Sequence, residues 1–230
     1  MLTFEKVELR QGDFHLKADM TIDAATFTAL IGPSGAGKST LLSAIAGFFE
    51  PARGRILWDG QDMTMKAPGE RPVSMLFQDN NLFPHLTAAQ NVGLGLRPDL
   101  KLSPEQKDRV AEALESVGLA GLGDRKPAAL SGGQQSRVAL ARVLVSDRDV
   151  VLLDEPFAAL GPALKDEMLD LVKAKLGALA KTVVMVTHDP ADARRVAAQT
   201  VLVAEGMAYA PQPTAQLLDN PPPVLAAYLG

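Results

Sequence analysis

A glycine-rich segment near the start of the sequence has the residue types that hold phosphate. Residues 32–40 read GPSGAGKST, match the pattern G-x-x-x-x-G-K-[ST], and lie between an apolar run, FTALI, and a helical pattern, LLSAIAG. Backbone N–H groups of such a loop and the positive end of the following helix attract phosphate oxygens. A chance match has a frequency of about one in a hundred for a chain of this length.

We therefore predict that this loop binds a nucleotide such as ATP. Lys38 is suited to the β and γ phosphates, and the Ser39 hydroxyl is suited to Mg²⁺. The predicted nucleotide contacts are Gly32, Pro33, Ser34, Gly35, Ala36, Gly37, Lys38, Ser39 and Thr40.

Two carboxylates and a histidine follow later apolar runs. Asp154 and Glu155 come directly after 150–153, and His188 comes after TVVMVT. Ligands of open parallel sheets bind at the carboxyl ends of strands, so we expect these side chains near the phosphates. Asp154 is predicted to contact Mg²⁺, Glu155 to polarise the attacking water, and His188 to hydrogen-bond the γ phosphate. The alternatives are an acidic turn ended by Pro156 and a surface histidine.

The elements that must position these residues alternate between apolar runs and helical patterns, which predicts an α/β fold. The runs 27–31, 73–77, 150–153 and 182–187 lack clean alternation, as expected for parallel strands covered on both faces. Residues 3–9, 55–58 and 200–209 are antiparallel in character. The proline-rich tail is predicted to wrap the surface.

The same patterns predict a division of the chain. Residues 1–77 and 150–230 form a nucleotide-binding core, with its antiparallel β part, and residues 78–149 form an inserted helical subdomain. Within the insert, Ser103, Pro104 and Gln106 indicate a capped helix start.

Composition limits the partners of the chain. The 230 residues carry a net charge of −4, which argues against nucleic acid as a partner. Nothing approaches the roughly 18 consecutive apolar residues of a membrane span, so a membrane role is predicted to be peripheral. The absence of cysteine excludes disulfides and thiolate metal sites.

A further motif narrows the class. Residues 131–135 read SGGQQ and precede a helical pattern, which predicts a second anion-binding helix N-terminus. Alone, Ser-Gly-Gly is also an ordinary loop. The order of phosphate loop, Gln78, SGGQQ, LLDEP and His188 resembles the ATPase subunits of ABC transporters, and the resemblance covers the chain from Leu2 to about Leu218.

The resemblance implies a P-loop NTPase core of the RecA-like type and a head-to-tail dimer of two copies of the chain. ATP on the phosphate loop of one copy would then contact residues 131–135 of the other, which we call the signature segment. Gln78 would link the nucleotide to the helical insert and help Ser39 and Asp154 to hold Mg²⁺. The residues implied to act on the second copy's ATP are Ser131, Gly132, Gly133 and Gln134.

The resemblance also implies partners at the cytoplasmic face of the bacterial inner membrane. Transmembrane permease subunits would place a helix against residues 79–86, for which a packed turn is the alternative interpretation. A periplasmic solute-binding protein would be an indirect partner.

A finer resemblance concerns the transported solute. The stretches NNLFPHL and GLGL are similar to those of the ATPases of thiamine importers, which implies uptake of thiamine or its phosphates. Importers for iron, sulfate or polyamines share much of the same sequence and are the alternatives. Exporter-type ATPases remain a further one. A DNA-repair ATPase is not supported, because the sequence contains no long heptad segment. A GTPase is not supported, because the sequence contains no N-K-x-D motif.

Two positions depart from the family pattern. Gly161 stands where family members usually have an aspartate that links the two nucleotide sites, so their coupling is expected to differ. The aromatic residue that usually stacks on adenine has no obvious counterpart. Phe14 is the candidate adenine contact, and a core role is the alternative.

Overall fold

An eleven-stranded sheet runs through the structure, a computed structural model that describes residues 1–229. The strands are β1 (Leu2–Gln11), β2 (Phe14–Ile22), β3 (Phe27–Ile31), β4 (Arg53–Trp58), β5 (Gln61–Asp62), β6 (Val73–Leu76), β7 (Val150–Asp154), β8 (Thr182–Val186), β9 (Gln199–Ala204), β10 (Met207–Ala208) and β11 (Gln212–Pro213). The α-helices are α1 (Lys38–Ala46), α2 (Ala88–Gly93), α3 (Pro104–Ser116), α4 (Gly132–Val145), α5 (Pro162–Ala178), α6 (Pro190–Val196), α7 (Thr214–Asp219) and α8 (Pro223–Leu229).

The parallel part of the sheet has the strand order β9-β3-β8-β7-β6. The four apolar runs predicted as parallel strands therefore lie side by side, and the α/β expectation is confirmed. Their register is nearly level, because Val186 lies opposite Leu30 on one side and Asp154 on the other. The loops that follow β3, β7 and β8 consequently leave the sheet at the same edge.

Burial on both faces explains why these strands show no alternation of polar and apolar residues. Along β7, Val150 and Leu152 pack in the apolar cluster that contains α1. Val151 and Leu153 pack in the cluster that contains residues of α4 and α5. Each successive side chain points to the opposite face, so both faces need apolar residues.

The antiparallel part consists of β1, β2, β4 and β5, and β10 joins it to the rest through β2 and β9. The antiparallel character predicted for residues 200–209 is confirmed between β9 and β10, but the parallel pairing of β9 was not predicted. This strand pairs in parallel with β3 and is antiparallel only to β10 and β11. It follows α6 and returns in the direction of β3, so it extends the parallel sheet and connects the two parts.

Between β6 and β7 the described α and β elements are the helices α2, α3 and α4. The predicted start of α3 is confirmed, because Ser103 Oγ accepts from Gln106 N at 3.3 Å and Gln106 Oε1 accepts from Ser103 N at 3.0 Å. α4 joins these helices to the core, since Val138 and Leu140 belong to the same apolar cluster as Leu153.

The proline-rich tail does more than wrap the surface. It forms the short helices α7 and α8, and Leu217, Leu218 and Leu225 on them are buried in the larger apolar cluster. The prolines 221–223 separate the two helices, since α7 ends at Asp219 and α8 begins at Pro223. None of the helices within residues 1–229 combines the length and apolar character needed to cross a bilayer.

A buried arginine fixes the end of the helix that follows the phosphate loop. Arg71 is 2% exposed and donates from Nη1 to the carbonyl oxygens of Ala44 and Ile45 at 2.7 and 2.9 Å. Its Nη2 and Nε donate to the carbonyl oxygens of Thr64 and Lys66 at 2.7 and 2.9 Å. The last carbonyl groups of a helix have no partner within the helix, so this side chain supplies one.

We expect Arg71→Met to lower the free energy of unfolding by about 3 kcal/mol, because four carbonyl groups lose a buried charged donor. Urea denaturation of the purified protein measures this change. Arg10→Met is the matched control: Arg10 is exposed and paired with Glu8, and its loss should cost less than about 0.5 kcal/mol. Equal losses in the two variants would contradict the assigned role of Arg71.

Candidate nucleotide-binding site

The glycine-rich loop lies between β3 and α1, and its path depends on particular glycines. Gly32 has φ 148°, and a Cβ there would lie 2.0 Å from the carbonyl oxygen of Val203 in β9. Gly37 has φ 101°, and a Cβ there would lie 2.6 Å from the Phe14 ring. Gly37 is also the N-cap of α1 and has no side chain to satisfy the first N–H groups of the helix. Those N–H groups are therefore available to an anion.

Carbonyl groups of the loop hold the side chain of Lys38 in place. Its Nζ donates to the carbonyl oxygens of Gly32 at 2.7 Å and Pro33 at 2.9 Å. An ammonium group has three donors, so one remains for a phosphate oxygen. Burial lowers the pKa of Lys38, and the carboxylates of Glu155 and Asp154 oppose that shift. The side chain thus carries a partly desolvated charge, which attracts phosphate more strongly than an exposed lysine would.

Ser39 and Asp154 meet at the edge of the sheet. The Ser39 hydroxyl donates to Asp154 Oδ1 at 3.0 Å, although 115 positions separate the two residues in sequence. Burial raises the pKa of Asp154, the bond from Ser39 lowers it, the neighbouring Glu155 raises it, and Lys38 lowers it.

These two oxygen donors fit Mg²⁺. Magnesium prefers oxygen ligands and is usually held by one or two protein groups together with substrate phosphates and water. Within residues 1–229 no group of three or more His, Cys, Asp or Glu side chains is placed to enclose a metal ion. The Ser39 hydroxyl and the Asp154 carboxylate therefore fit a magnesium ion whose other ligands are phosphate oxygens and water.

Glu155 and His188 also come together, since His188 Nδ1 lies 3.2 Å from Glu155 Oε2. Glu155 has φ 43°, in the left-handed region that residues other than glycine rarely adopt. Its N–H donates to the Val186 carbonyl oxygen at 3.1 Å, which holds this backbone in place against the end of β8. Such a conformation costs about 1 to 3 kcal/mol and is concentrated at functional sites.

The structure places Gln78 in an exposed turn beyond the end of β6, the strand beside β7. The turn is tied to α4, because Arg142 donates to the carbonyl oxygens of Asn80 at 2.8 Å and Asn81 at 2.9 Å. Asn80 Nδ2 adds a bond to Ser136 Oγ at 3.2 Å. The segment after Gln78 and α4 are therefore one connected unit.

Arg142 was missed by reasoning from the sequence. It lies in the run RVALAR, where an arginine among apolar helix residues looks like part of an exposed face. Arg142 is half-buried, and burial lowers the pKa of its guanidinium group. Only the fold reveals that its partners are carbonyl groups near residue 80.

The signature segment begins α4 with a reciprocal cap. Ser131 Oγ accepts from Gln134 N at 3.3 Å, and Gln134 Oε1 accepts from Ser131 N at 2.9 Å. The Ser131 hydroxyl proton remains available to another acceptor. Ser131 and Gly132 are exposed, whereas Gly133 is buried against α5: a Cβ there would lie 2.7 Å from Leu164 Cδ2.

Phe14 lies beside the phosphate loop and lines the same pocket as Gly35, Lys38 and Ser39. Its ring packs over Gly37 and against the apolar cluster of β1, β2 and α1. This packing gives Phe14 a structural role in supporting the loop. Contact with adenine stays a prediction.

Gly161 is the N-cap of α5. Its φ of −64° and ψ of 156° are accessible to any residue, and no atom lies within 4 Å of the place that a Cβ would take. The backbone therefore does not require glycine here, and the first turn of α5 lacks a side-chain cap.

We expect the free energy of unfolding of the protein to be highest with aspartate at position 161, lower with glycine and lowest with alanine. The difference between aspartate and alanine should be about 1 kcal/mol. An aspartate oxygen accepts from the free N–H groups of the first helical turn, and alanine does not. Urea denaturation of Gly161→Asp and Gly161→Ala measures the order. A Gly161→Asp protein that is less stable than Gly161→Ala would contradict the capping argument.

The loop between β3 and α1, the carboxylate pair after β7 and the histidine after β8 define a P-loop nucleotide-binding site. The chain belongs to the ABC transporter family, which it matches over residues 16–158. The resemblance found in the motifs is thereby confirmed.

Full-length relatives are thiamine import ATP-binding proteins named ThiQ. The chain is 61% identical to the one from Ruegeria sp. (strain TM1040) over 230 residues, with 100% of each chain covered. It is 62% identical to the one from Cereibacter sphaeroides, again with 100% of each covered. The ThiQ of Yersinia pestis is 50% identical, with 96% of this chain and 93% of that one covered.

Solved structures share the fold. A dimeric ATP-binding cassette, MJ0796, bound to ADP and Pi is 30% identical, has a TM-score of 0.78, and covers 93% of this chain and 99% of its own. CbiO1 from Clostridium perfringens, described as part of the ABC transporter complex cbiONQ, is 31% identical with a TM-score of 0.85, and the match covers 95% of this chain and 90% of that chain.

Proposed function

We propose that the chain is the ATP-hydrolysing subunit of an importer for thiamine or its phosphates. The observation that carries the chemistry is the meeting of Lys38, the Ser39–Asp154 pair and the Glu155–His188 pair at one sheet edge. Full-length identity of 61% to a thiamine import ATP-binding protein supports the transported solute.

The residues divide the chemistry among them. The loop N–H groups and the free Lys38 donor bind the β and γ phosphates. Ser39 and Asp154, with Gln78, would hold Mg²⁺, which neutralises charge on the phosphates when bound. The Glu155 carboxylate accepts a hydrogen bond from the attacking water and orients it, and the His188 imidazole donates toward a γ-phosphate oxygen.

We also propose that two copies of the chain close around two ATP molecules. The exposed Ser131 and Gly132 at the start of α4 suit contact with a phosphate bound to the other copy. Ser131 keeps a hydroxyl proton for that contact while its oxygen caps the helix. The dimeric relative bound to ADP and Pi supports this arrangement.

Movement would pass to the permease through the segment after Gln78. Arg142 ties this segment to α4, so closure of the dimer moves both together. Exposed apolar side chains lie on the same stretch or beside it: Phe83 is 45% exposed, and Phe48, 60% exposed, has its ring centre 6.3 Å from that of Phe77. A helix of a permease at the cytoplasmic face of the inner membrane would cover them.

Glu155→Gln is expected to retain ATP binding while turnover falls about a hundredfold or more, because the amide does not orient water as a carboxylate does. Size-exclusion chromatography with ATP and Mg²⁺ should show a stable dimer, and phosphate release should be nearly absent. Glu112→Gln on α3 is the control and should hydrolyse ATP like the wild type. Full turnover by Glu155→Gln would refute the assigned role of Glu155.

ATPase activity of the chain reconstituted with its neighbouring permease is expected to rise when thiamine-loaded binding protein is added. Binding proteins loaded with polyamine, sulfate or iron are the controls and should leave the rate unchanged. Stimulation by one of these solutes in place of thiamine would overturn the proposed solute and keep the ATPase. Loss of phosphate release in Lys38→Ala shows that the activity belongs to this chain.

A further inference from the structure

The last helix of the described chain reaches the candidate catalytic histidine. In α8, the Tyr228 hydroxyl donates to the main-chain oxygen of His188 at 2.9 Å, across 40 positions of sequence. We infer that Tyr228 is a positioning residue that fixes His188 for ATP hydrolysis. The inference deepens the proposed function and rests on it.

The helix that carries Tyr228 is anchored in the core. Leu225 is 0% exposed, and Val224 and Tyr228 pack against the larger apolar cluster. The first turn is closed by the Pro222 carbonyl oxygen, which accepts from Leu225 N at 2.9 Å and Ala226 N at 2.8 Å. The tyrosine ring therefore has a fixed place, and little conformational freedom is lost when its hydroxyl forms the bond.

The bond falls on a part of the histidine segment that no other described contact holds. Thr187 Oγ1 accepts from Asp189 N at 3.1 Å, and Lys165 Nζ donates to Asp189 Oδ2 at 2.6 Å. Those contacts hold the residues before and after His188. Among the hydrogen bonds of residues 1–229, the bond from Tyr228 is the one that fixes the carbonyl group of His188 itself.

The bond from Tyr228 holds the main chain of His188, from which the imidazole extends. His188 Nδ1 lies 3.2 Å from Glu155 Oε2, so a small rotation of the backbone would break the contact between the two candidate catalytic side chains. Tyr228 thus connects α8 to the candidate catalytic pair of Glu155 and His188.

The surroundings keep Tyr228 a donor. Burial raises its pKa, and the carboxylates of Glu155 and Asp189 raise it further, so the phenol stays protonated at neutral pH. A protonated phenol donates one hydrogen bond, and the His188 carbonyl oxygen is the acceptor. Removal of the hydroxyl alone, with the ring retained, therefore isolates this bond.

Tyr228→Phe tests the inference. We expect kcat for ATP hydrolysis to fall about fivefold while KM for ATP changes by less than about twofold, since the histidine acts mainly in the transition state. The second readout is the ¹H–¹⁵N spectrum of the imidazoles, which is simple because the chain has 3 histidines, His15, His85 and His188. The His188 signals, assigned from the His188→Gln spectrum, should shift while the other two sets stay in place.

Tyr209→Phe is the matched control, because Tyr209 is the other of the 2 tyrosines and also packs against the larger apolar cluster. It should leave both kcat and the His188 signals unchanged. An unchanged kcat or unchanged His188 signals in Tyr228→Phe would overturn the inference, as would equal effects in the two variants. If the wild type hydrolyses no ATP, the proposed function fails, and the His188 signals alone then decide whether Tyr228 positions the histidine.

Discussion

The level register of three parallel strands is the constraint on which the site depends. β8 lies between β3 and β7, so the phosphate loop, the carboxylate pair and the histidine segment all leave the sheet at one edge. The Ser39–Asp154 bond spans 115 positions and exists only because the ends of β3 and β7 are one strand apart. A shift of one residue in either pairing would move Asp154 away from Ser39 and reverse the faces of the strand.

The site is built at the expense of local stability. Glu155 has a left-handed backbone, and burial lowers the pKa of Lys38 and raises the pKa of Asp154. Each feature is unfavourable without a partner. The surrounding structure offsets these costs through apolar strands covered on both faces and through Arg71, which satisfies the carbonyl groups at the end of α1.

Much of this arrangement could be predicted from the sequence because the signals are local. The GPSGAGKST loop predicts the strand before it and the helix after it, and Ser103 and Gln106 predict the start of α3. The contacts of Arg142 and Tyr228 could not be found in this way. The bonds of Arg142 and Tyr228 join residues that are 62 and 40 positions apart in the sequence. No pattern in the sequence near either residue indicates which residue it binds. The second role of residues 199–204, parallel to β3, likewise depends on strand order and not on composition.

The contact between Gly133 and Leu164 links two functions of the same chain. Gly133 belongs to the segment proposed to meet the ATP of a second copy, whereas Leu164 lies in the first turn of α5, shortly after Glu155. In the proposed dimer, a displacement caused by one nucleotide would reach the other through van der Waals packing alone. Cooperativity between the two sites would then not require a carboxylate at Gly161, and its strength would depend on how tightly a single leucine fits against a glycine.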